Sequence, residues 1–302
     1  MKSINDFSFT FQKELSGLYD PRECDSLFRI VIEDVTEFSS AKIKAFPESE
    51  LTVVQSDAIN NILDELKTGK PIQYILGYAE FYGLRFNVNP SVLIPRPETE
   101  ELVEWVISSV GSLKSAGGSI LDIGTGSGCI GISLKKNLSE FDVTALDISA
   151  AALWTAKENA EINQVNLNFI LADILNLKSE IENPKRQTPL EHLEKTTNSE
   201  KFEIIVSNPP YVTLHDKAQM HQNVTDFEPH TALFVPEDDP LIFYKAIADF
   251  ASKNLESGGL LFFEINESYG EQIVNLLTDK SFKNIELRKD MSDRDRMIRA
   301  MF

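Results

Sequence analysis

The sequence predicts an α/β protein in which a doubly wound sheet follows a small N-terminal helical bundle. From residue 119 onward, apolar runs of strand length alternate with stretches of helical periodicity, the pattern that such a sheet produces. Before that point, helical periodicity comes first, and alternating apolar residues with glycines at the bends come second. We therefore expect a helical domain at residues 1–72, a β-hairpin linker at 73–95 and the α/β domain at 96–302.

The N-terminal domain contains signals for the start of one helix and the end of another. Asp20 stands at an expected N-cap, with Pro21 in the first helical position and Glu23 three residues after the cap. A later helix is expected to stop at Gly69, which Pro71 follows closely. Apolar residues recur at helical spacing in both: Leu27, Ile30, Val31 and Val35, then Ile59, Ile62, Leu63 and Leu66. Such a bundle suits either the docking of a partner or a cap on the larger domain, and we favour docking.

The linker reads as a β-hairpin because residues 72–77 and 81–88 both alternate between apolar and polar side chains. The segment Pro97-Glu98-Thr99 follows it, directly before a helix that carries Leu102 and Val106. Two interpretations of this segment stay open. It starts the helix, since Pro and Glu favour a first turn, or it forms part of a lid over a bound cofactor.

The α/β domain opens with a strand at residues 119–123, and a glycine-rich turn follows at once. This turn reads Gly124-Thr125-Gly126-Ser127-Gly128 and leads into a helical stretch. Glycines between a strand and a helix let a ligand approach the backbone and meet a helix N-terminus. The dinucleotide fingerprint requires a sixth-position glycine, where this chain has Cys129. The spacing G-x-G-x-G is instead typical of S-adenosylmethionine-dependent methyltransferases.

Acidic residues end the next two predicted strands. Asp147 follows the strand at residues 143–146, where a carboxylate accepts both ribose hydroxyls of a nucleoside cofactor. The alternative is a helix-start charge or cap near Ser149. Asp173 follows the strand at 167–171 and suits a hydrogen bond to an adenine amino group, with Ile174 beside the ring. The alternative for Asp173 is ordinary loop chemistry.

The segment Asn208-Pro209-Pro210-Tyr211 follows an apolar strand at residues 202–207. Ligands of open α/β sheets bind at the carboxyl ends of strands, so this turn is expected at an active-site edge. The prolines lack N–H groups and stiffen the turn, which leaves carbonyl and amide oxygens as acceptors. Such acceptors suit a flat, neutral NH2 group. Its two hydrogens would go to the Asn208 side chain and the Pro209 carbonyl, while Tyr211 covers one face.

The remaining elements complete the sheet. The polar stretch at residues 178–201 reads as a long surface loop or a frayed helix, and we assign it no chemistry. Residues 226–233 read as an ordered loop that crosses the site. A helix at 240–254, a strand at 260–265, a helix at 270–278 and strands at 285–288 and 297–302 follow. The short final connection predicts that the last strand is antiparallel.

Composition narrows the class of protein. The 302 residues carry a net charge of −18, with 47 acidic against 29 basic residues. A nucleic-acid-binding protein needs a basic face, so direct binding to nucleic acid is disfavoured and a basic polypeptide partner fits better. No apolar run reaches the ~20 residues of a membrane span. The two cysteines and four histidines show no metal-type spacing, so we expect reduced thiols, no metal and a cytoplasmic monomer.

The chain resembles the peptide chain release factor N5-glutamine methyltransferases, the PrmC/HemK family, over nearly its whole length. The resemblance rests on Gln73-Tyr74-Ile75-Leu76-Gly77, Phe81-Tyr82-Gly83, Pro95-Arg96-Pro97-Glu98-Thr99-Glu100, the glycine turn, Ser207-Asn208-Pro209-Pro210-Tyr211, Phe227-Glu228-Pro229 and Thr231-Ala232-Leu233. It implies a Rossmann-like class I methyltransferase sheet and an N-terminal domain that helps to hold the release factor. The implied substrate is the glutamine of the Gly-Gly-Gln motif in class I release factors, methylated by S-adenosyl-L-methionine, which leaves as S-adenosyl-L-homocysteine.

The candidate site comprises catalytic and cofactor-binding residues. The catalytic candidates are Asn208, Pro209, Pro210 and Tyr211. The cofactor-binding candidates are Gly124, Thr125, Gly126, Ser127, Gly128, Asp147, Asp173, Ile174, Asn208, Pro97, Glu98 and Thr99. The alternative function is an adenine-N6 or other amino-group methyltransferase that acts on nucleic acid, because such enzymes share the Asn-Pro-Pro-Tyr segment. A nicotinamide oxidoreductase has no use for that segment, and a non-catalytic binding module would lose it.

Overall fold

The computed structural model describes residues 2–112, 117–176, 201–217, 220 and 222–302. In chain order its helices are α1 Ile4–Leu15, α2 Pro21–Thr36, α3 Ser40–Ala45, α4 Val53–Leu66, α5 Ile72–Leu76, α6 Pro97–Ser109, α7 Cys129–Asn137, α8 Ala150–Ile162, α9 Leu214–Lys217, α10 Gln222–Phe227, α11 His230–Leu233, α12 Ile242–Asn254 and α13 Gly270–Asp279. Its strands are β1 Tyr78–Phe81, β2 Leu84–Asn87, β3 Gly118–Ile123, β4 Phe141–Asp147, β5 Asn168–Leu171, β6 Phe202–Ser207, β7 Leu255–Glu264, β8 Lys283–Lys289 and β9 Asp295–Met301. Of the polar stretch discussed above, residues 178–200 lie outside the described residues. No described helix combines the length and apolar character that crossing a membrane requires.

The chain divides into two compact units, of which the first is helical. It comprises the described residues up to Gly77 together with α10. The expected cap of α2 is confirmed, because the Asp20 side chain accepts hydrogen bonds from the backbone N–H groups of Arg22 and Glu23. Helix α4 buries Ile59, Leu63 and Leu66 on one face, as its periodicity predicted. Buried side chains from α1, α2, α4 and α5 form a single apolar core.

The strand predicted at residues 72–77 is wrong, because this segment forms helix α5. Gly77 ends the helix in the left-handed region at φ 81°, and its N–H donates to the Gln73 carbonyl. An alternation over six residues is too short to separate a strand from one helical turn. Burial of Ile72 in the helical core favours the turn.

The β-hairpin is formed by β1 and β2, and it belongs to the second unit. Its two-residue turn is Tyr82-Gly83, and both residues have positive φ, 50° and 71°. Positive φ at both central positions is the condition of the type I′ turn, whose twist matches that of paired strands. The predicted second strand at residues 81–88 therefore spans this turn, and the observed strand starts at Leu84.

The second unit contains a seven-stranded sheet in the order β5-β4-β3-β6-β7-β9-β8. The five strands from β3 to β7 are parallel, whereas β9 lies antiparallel to both β7 and β8. Helices cover both faces. Leu121 packs with α12 and α13 on one face, and Ile120 packs with α6 and α7 on the other. The doubly wound fold with an antiparallel last strand is thus confirmed.

The sheet order places its topological switch point between β3 and β6. The chain proceeds from β3 to β4 on one side and from β6 to β7 on the other, so the carboxyl ends of β3 and β6 lie beside a crevice. Residues 226–233 do not form the continuous loop we expected. Helix α10 ends at Phe227 and α11 begins at His230, with the buried Glu228 between them. A proline at 229, the N-cap of α11, ends one helix and starts the next.

Candidate active site

A cavity of about 350 Å³ lies at this switch point in the second unit. Segments that follow β3, β4, β5 and β6 line it, as does the segment at residues 91–96 before α6. Most of the predicted site residues line this one cavity: Gly124, Thr125, Gly126, Ser127, Asp147, Asp173, Ile174, Asn208, Pro209, Pro210 and Thr99. The four described candidates that do not line it are Gly128, Pro97, Glu98 and Tyr211.

The glycine turn requires glycine for two different reasons. Gly124, Gly126 and Gly128 all have φ in the left-handed region, at 74°, 55° and 82°. A Cβ on Gly124 would meet no heavy atom within 4 Å, whereas a Cβ on Gly128 would lie 2.8 Å from the Ile132 side chain and 3.1 Å from Ala156. Gly124 thus leaves room beside the backbone, and Gly128 permits close packing at the start of α7.

Asp122 is a buried residue of the site that the sequence argument missed. Its side chain in β3 has no solvent exposure. One carboxylate oxygen accepts hydrogen bonds from the Thr125 hydroxyl at 2.6 Å and the Gly131 N–H at 3.0 Å, so it ties the glycine turn to α7. Burial raises the pKa of Asp122 to about 7 against the lowering effect of these two bonds. An acid inside an otherwise apolar strand was the signal that could have found it.

Asp147 lies at the end of β4, with its carboxylate at the cavity and largely buried. One oxygen accepts the Gly126 N–H at 2.9 Å and the other accepts the Ser149 N–H at 2.8 Å. Burial raises its pKa, and these backbone bonds oppose that rise. The cap of α8 is Ser149 itself, which accepts the Ala152 N–H. Asp147 therefore holds the glycine turn in place, and its role toward a ribose stays a prediction.

Asp173 follows β5 and lines the cavity together with Ile174. Its two oxygens accept hydrogen bonds from the Leu175 N–H at 2.9 Å and the Asn176 amide at 2.6 Å. The loop chemistry considered for this residue is therefore present. Each carboxylate oxygen has a second lone pair, so a hydrogen bond from a ligand amino group is still compatible with these contacts.

The two ends of the segment at residues 208–211 have different surroundings. Asn208 lines the cavity, and its Nδ2 donates to the Thr99 hydroxyl at 3.2 Å. The Tyr211 ring instead packs against the buried core beside α12, and its hydroxyl donates to Glu264 at 3.2 Å. Burial raises the pKa of Tyr211. The ring therefore packs on the core and does not line the cavity, and its covering of a substrate amide stays a prediction.

Residues 96–99, at the start of α6, differ in whether they reach the cavity. Pro97 and Glu98 occupy the first turn of α6, which agrees with the first of the two interpretations. Thr99 is buried and reaches the cavity from the next position. Arg96 also lines the cavity and forms an ion pair with the buried Glu228.

Glu228 clamps this segment, a role that the sequence argument did not assign. Besides the ion pair, its carboxylate accepts the Ile94 N–H at 3.3 Å. Among the described residues, no group of three or more His, Cys, Asp or Glu side chains is placed to hold a metal ion.

Comparison with known proteins agrees with this geometry. Residues 11–77 match the family model of the PrmC N-terminal domain, and residues 114–238 match that of a methyltransferase domain. The release factor glutamine methyltransferase of Flavobacterium psychrophilum is 43% identical over 302 residues, covering 99% of each chain. The enzyme of that name from Bacteroides thetaiotaomicron is 37% identical and covers 98% of this chain and 99% of its own.

This chain belongs to the release factor glutamine methyltransferase family. The expected family and enzyme class are confirmed, since the second unit carries a methyltransferase domain and the relatives match end to end. The nucleic-acid methyltransferase considered as the alternative is not favoured. The match of residues 11–77 also identifies the helical unit as part of the family pattern, of which the sequence analysis had matched only residues 73–77.

Proposed function

We propose that this chain methylates the side-chain amide nitrogen of the glutamine in the Gly-Gly-Gln motif of class I peptide chain release factors, with S-adenosyl-L-methionine as the methyl donor. It acts in the cytoplasm as a monomer, and the helical domain at residues 1–72 helps to hold the release factor. The observation that carries the proposal is that the glycine turn and Asn208 line the same cavity.

The cavity fits the cofactor in three respects. The turn offers open space beside Gly124 and Gly126, where no heavy atom lies within 4 Å of a notional Cβ. Asp147 provides acceptors for ribose hydroxyls, and Asp173 with Ile174 provides an acceptor and an apolar surface for an adenine ring. Bound there, S-adenosyl-L-methionine supplies an electrophilic sulfonium methyl group.

The remaining chemistry is positioning by the protein. An amide nitrogen is a poor nucleophile because its lone pair is delocalised into the carbonyl. Asn208 Oδ1 and the Pro209 carbonyl would accept its two hydrogens, orient the lone pair and stabilise positive charge that develops on nitrogen. The stiff proline turn holds these acceptors at the cavity wall. Bulk solvent suffices to take the released proton.

Charge supports a protein substrate. With a net charge of −18, the chain attracts a basic partner and repels a polyanion. The proposal therefore predicts that labelled S-adenosyl-L-methionine transfers its methyl group to a class I release factor, and that DNA and tRNA stay unlabelled. Labelling of DNA or tRNA in place of the release factor would overturn it.

The central variant is Asn208→Ala. We expect it to retain measurable cofactor binding and to lower turnover about 10²-fold or more, the scale of losing one oriented transition-state contact. Asn254→Ala is the matched control, because Asn254 is also half-buried and also donates one side-chain hydrogen bond, to the Phe250 carbonyl at the end of α12. A near-normal rate for the Asn208 variant would remove its assigned role.

A further inference from the structure

Three side chains from separate elements form a chain of hydrogen bonds that ends at the cavity. Asn208 follows β6, Thr99 lies in the first turn of α6, and Glu264 is the last residue of β7. Asn208 Nδ2 donates to Thr99 Oγ1 at 3.2 Å, and Thr99 Oγ1 donates to Glu264 Oε2 at 2.6 Å. Thr99 and Glu264 are each 2% exposed, so water does not compete for these bonds.

Glu264 is held in place by further neighbours. Its second oxygen, Oε1, accepts the Tyr211 hydroxyl at 3.2 Å. The Tyr244 hydroxyl donates to the backbone carbonyl of the same residue. Burial raises the pKa of Glu264, while the Thr99 bond, the positive charge of Arg296 and the Tyr211 bond all favour the ionised form. An ionised carboxylate only accepts hydrogen bonds. It is therefore the form of Glu264 that satisfies the two hydroxyl donors and the nearby cation.

The carboxylate determines the direction of every bond in the chain. Thr99 has one hydroxyl proton, and the short bond to Glu264 takes it. The Thr99 oxygen can then only accept, so Asn208 must present its NH2 group to Thr99. If the Asn208 amide turned over, two acceptor oxygens would face each other in a buried setting, which is unfavourable. Asn208 Oδ1 is left free to accept from a ligand, and no described residue hydrogen-bonds to it.

We propose that Glu264 is a positioning residue that acts through Thr99 to keep the acceptor oxygen of Asn208 available to the substrate amide. The inference rests on the proposed function, in which Asn208 accepts a hydrogen from the glutamine NH2 group. Tyr211 contributes by holding Glu264 from the other side, which accounts for its hydroxyl bond away from the cavity.

Glu264→Gln tests the proposal because glutamine has nearly the same shape but presents both an acceptor and a donor. When its NH2 group faces Thr99, the hydroxyl must donate to Asn208, and Asn208 then turns its own NH2 group toward the cavity. We expect kcat to fall on the order of 10–100-fold, the scale that a misplaced reacting group produces. The KM for the release factor and the cofactor Kd should change less than twofold.

A double-mutant cycle separates positioning from a general structural role. If Glu264 acts through Asn208, adding Glu264→Gln to Asn208→Ala causes no further fall in kcat. Glu203→Gln is the matched control, because Glu203 sits in the neighbouring strand β6 and bonds Ser119 at the opposite end of β3. That variant should keep the wild-type kcat. Thr99→Val, which removes the middle hydroxyl with little change of shape, should reproduce the loss, so the test stands even if Glu264→Gln does not fold.

The outcomes distinguish the two proposals. If the wild-type chain does not methylate a release factor, the proposed function fails. If it does but Asn208→Ala is normal, the function stands, and the role of Asn208 fails together with the positioning role of Glu264. If Asn208→Ala is slow but Glu264→Gln and Thr99→Val turn over normally, only the positioning role is overturned. Equal losses from Glu264→Gln in the wild-type and Asn208→Ala backgrounds would also overturn it, since that result means that Glu264 acts independently of Asn208.

Discussion

The burial of Asp122 leads to a prediction about stability and pH. Its carboxyl group has no solvent exposure, and burial raises its pKa from 3.8 to about 7. Between these values the unfolded chain loses the proton while the folded chain keeps it, so folding becomes less favourable as pH rises. Asp122→Asn keeps the acceptor for Thr125 and Gly131 but does not titrate. We therefore expect the stability of this variant relative to the wild type to increase with pH and to level off above about pH 7.

The magnitude follows from the same values. A pKa unit corresponds to about 1.4 kcal/mol, so the gap between 3.8 and about 7 sets a ceiling of about 4 kcal/mol on the relative gain. Part of that gain is already present at pH 5, which leaves an increase of about 2.5 kcal/mol between pH 5 and pH 8. The unsatisfied amide of the new asparagine adds a penalty that does not vary with pH, so the slope is the diagnostic quantity.

Urea unfolding at a series of pH values measures this slope. Both tryptophans, Trp105 and Trp154, belong to the second unit, so tryptophan fluorescence follows the unit that contains Asp122. Asp142→Asn is the control, because it removes the same charge from an exposed position on the adjacent strand β4. A difference between Asp122→Asn and wild type that stays flat from pH 5 to pH 8, or that falls, would refute the reasoning.

Two further predictions concern the glycine turn and the ion pair that holds the segment before α6, and the same fluorescence assay measures both. Gly128→Ala should destabilise the second unit by at least about 1 kcal/mol more than Gly124→Ala. Both variants strain a left-handed backbone, but only Gly128→Ala pushes a methyl group against Ala156. Equal losses of stability would contradict the packing role of Gly128. Arg96→Met should cost about 3 kcal/mol by leaving the buried carboxylate of Glu228 without its cation, and adding Glu228→Gln should recover part of the loss. A double variant no more stable than Arg96→Met would argue against the ion pair as the cause.

Much of the candidate site was predictable because each feature follows a strand in the chain. Glycines, acids and the Asn-Pro-Pro segment come directly after β3, β4, β5 and β6, and parallel strands deliver their carboxyl ends to one edge. The residues that support the site escaped prediction. Glu228 and Glu264 act on partners that lie 132 and 165 positions away in sequence. No local pattern marks such partners.

The sequence pattern also failed to predict the local conformation of short segments. Residues 72–77 alternate like a strand, yet Gly77 and the burial of Ile72 make one helical turn more favourable. Tyr211 follows Asn208 by three positions, and the expectation placed both at the cavity. The carboxylate at the end of β7 draws the Tyr211 hydroxyl away from it.

The amino-acid sequence by itself determined the doubly wound sheet, the strand ends that meet at the cavity and the family, because periodicity and short motifs are local properties of the chain. Tertiary structure alone decided which polar groups are buried together, and hence which way the Asn208 amide faces and how strongly Asp122 holds its proton. The physical reason is that hydrogen-bond direction and desolvation depend on neighbours in space.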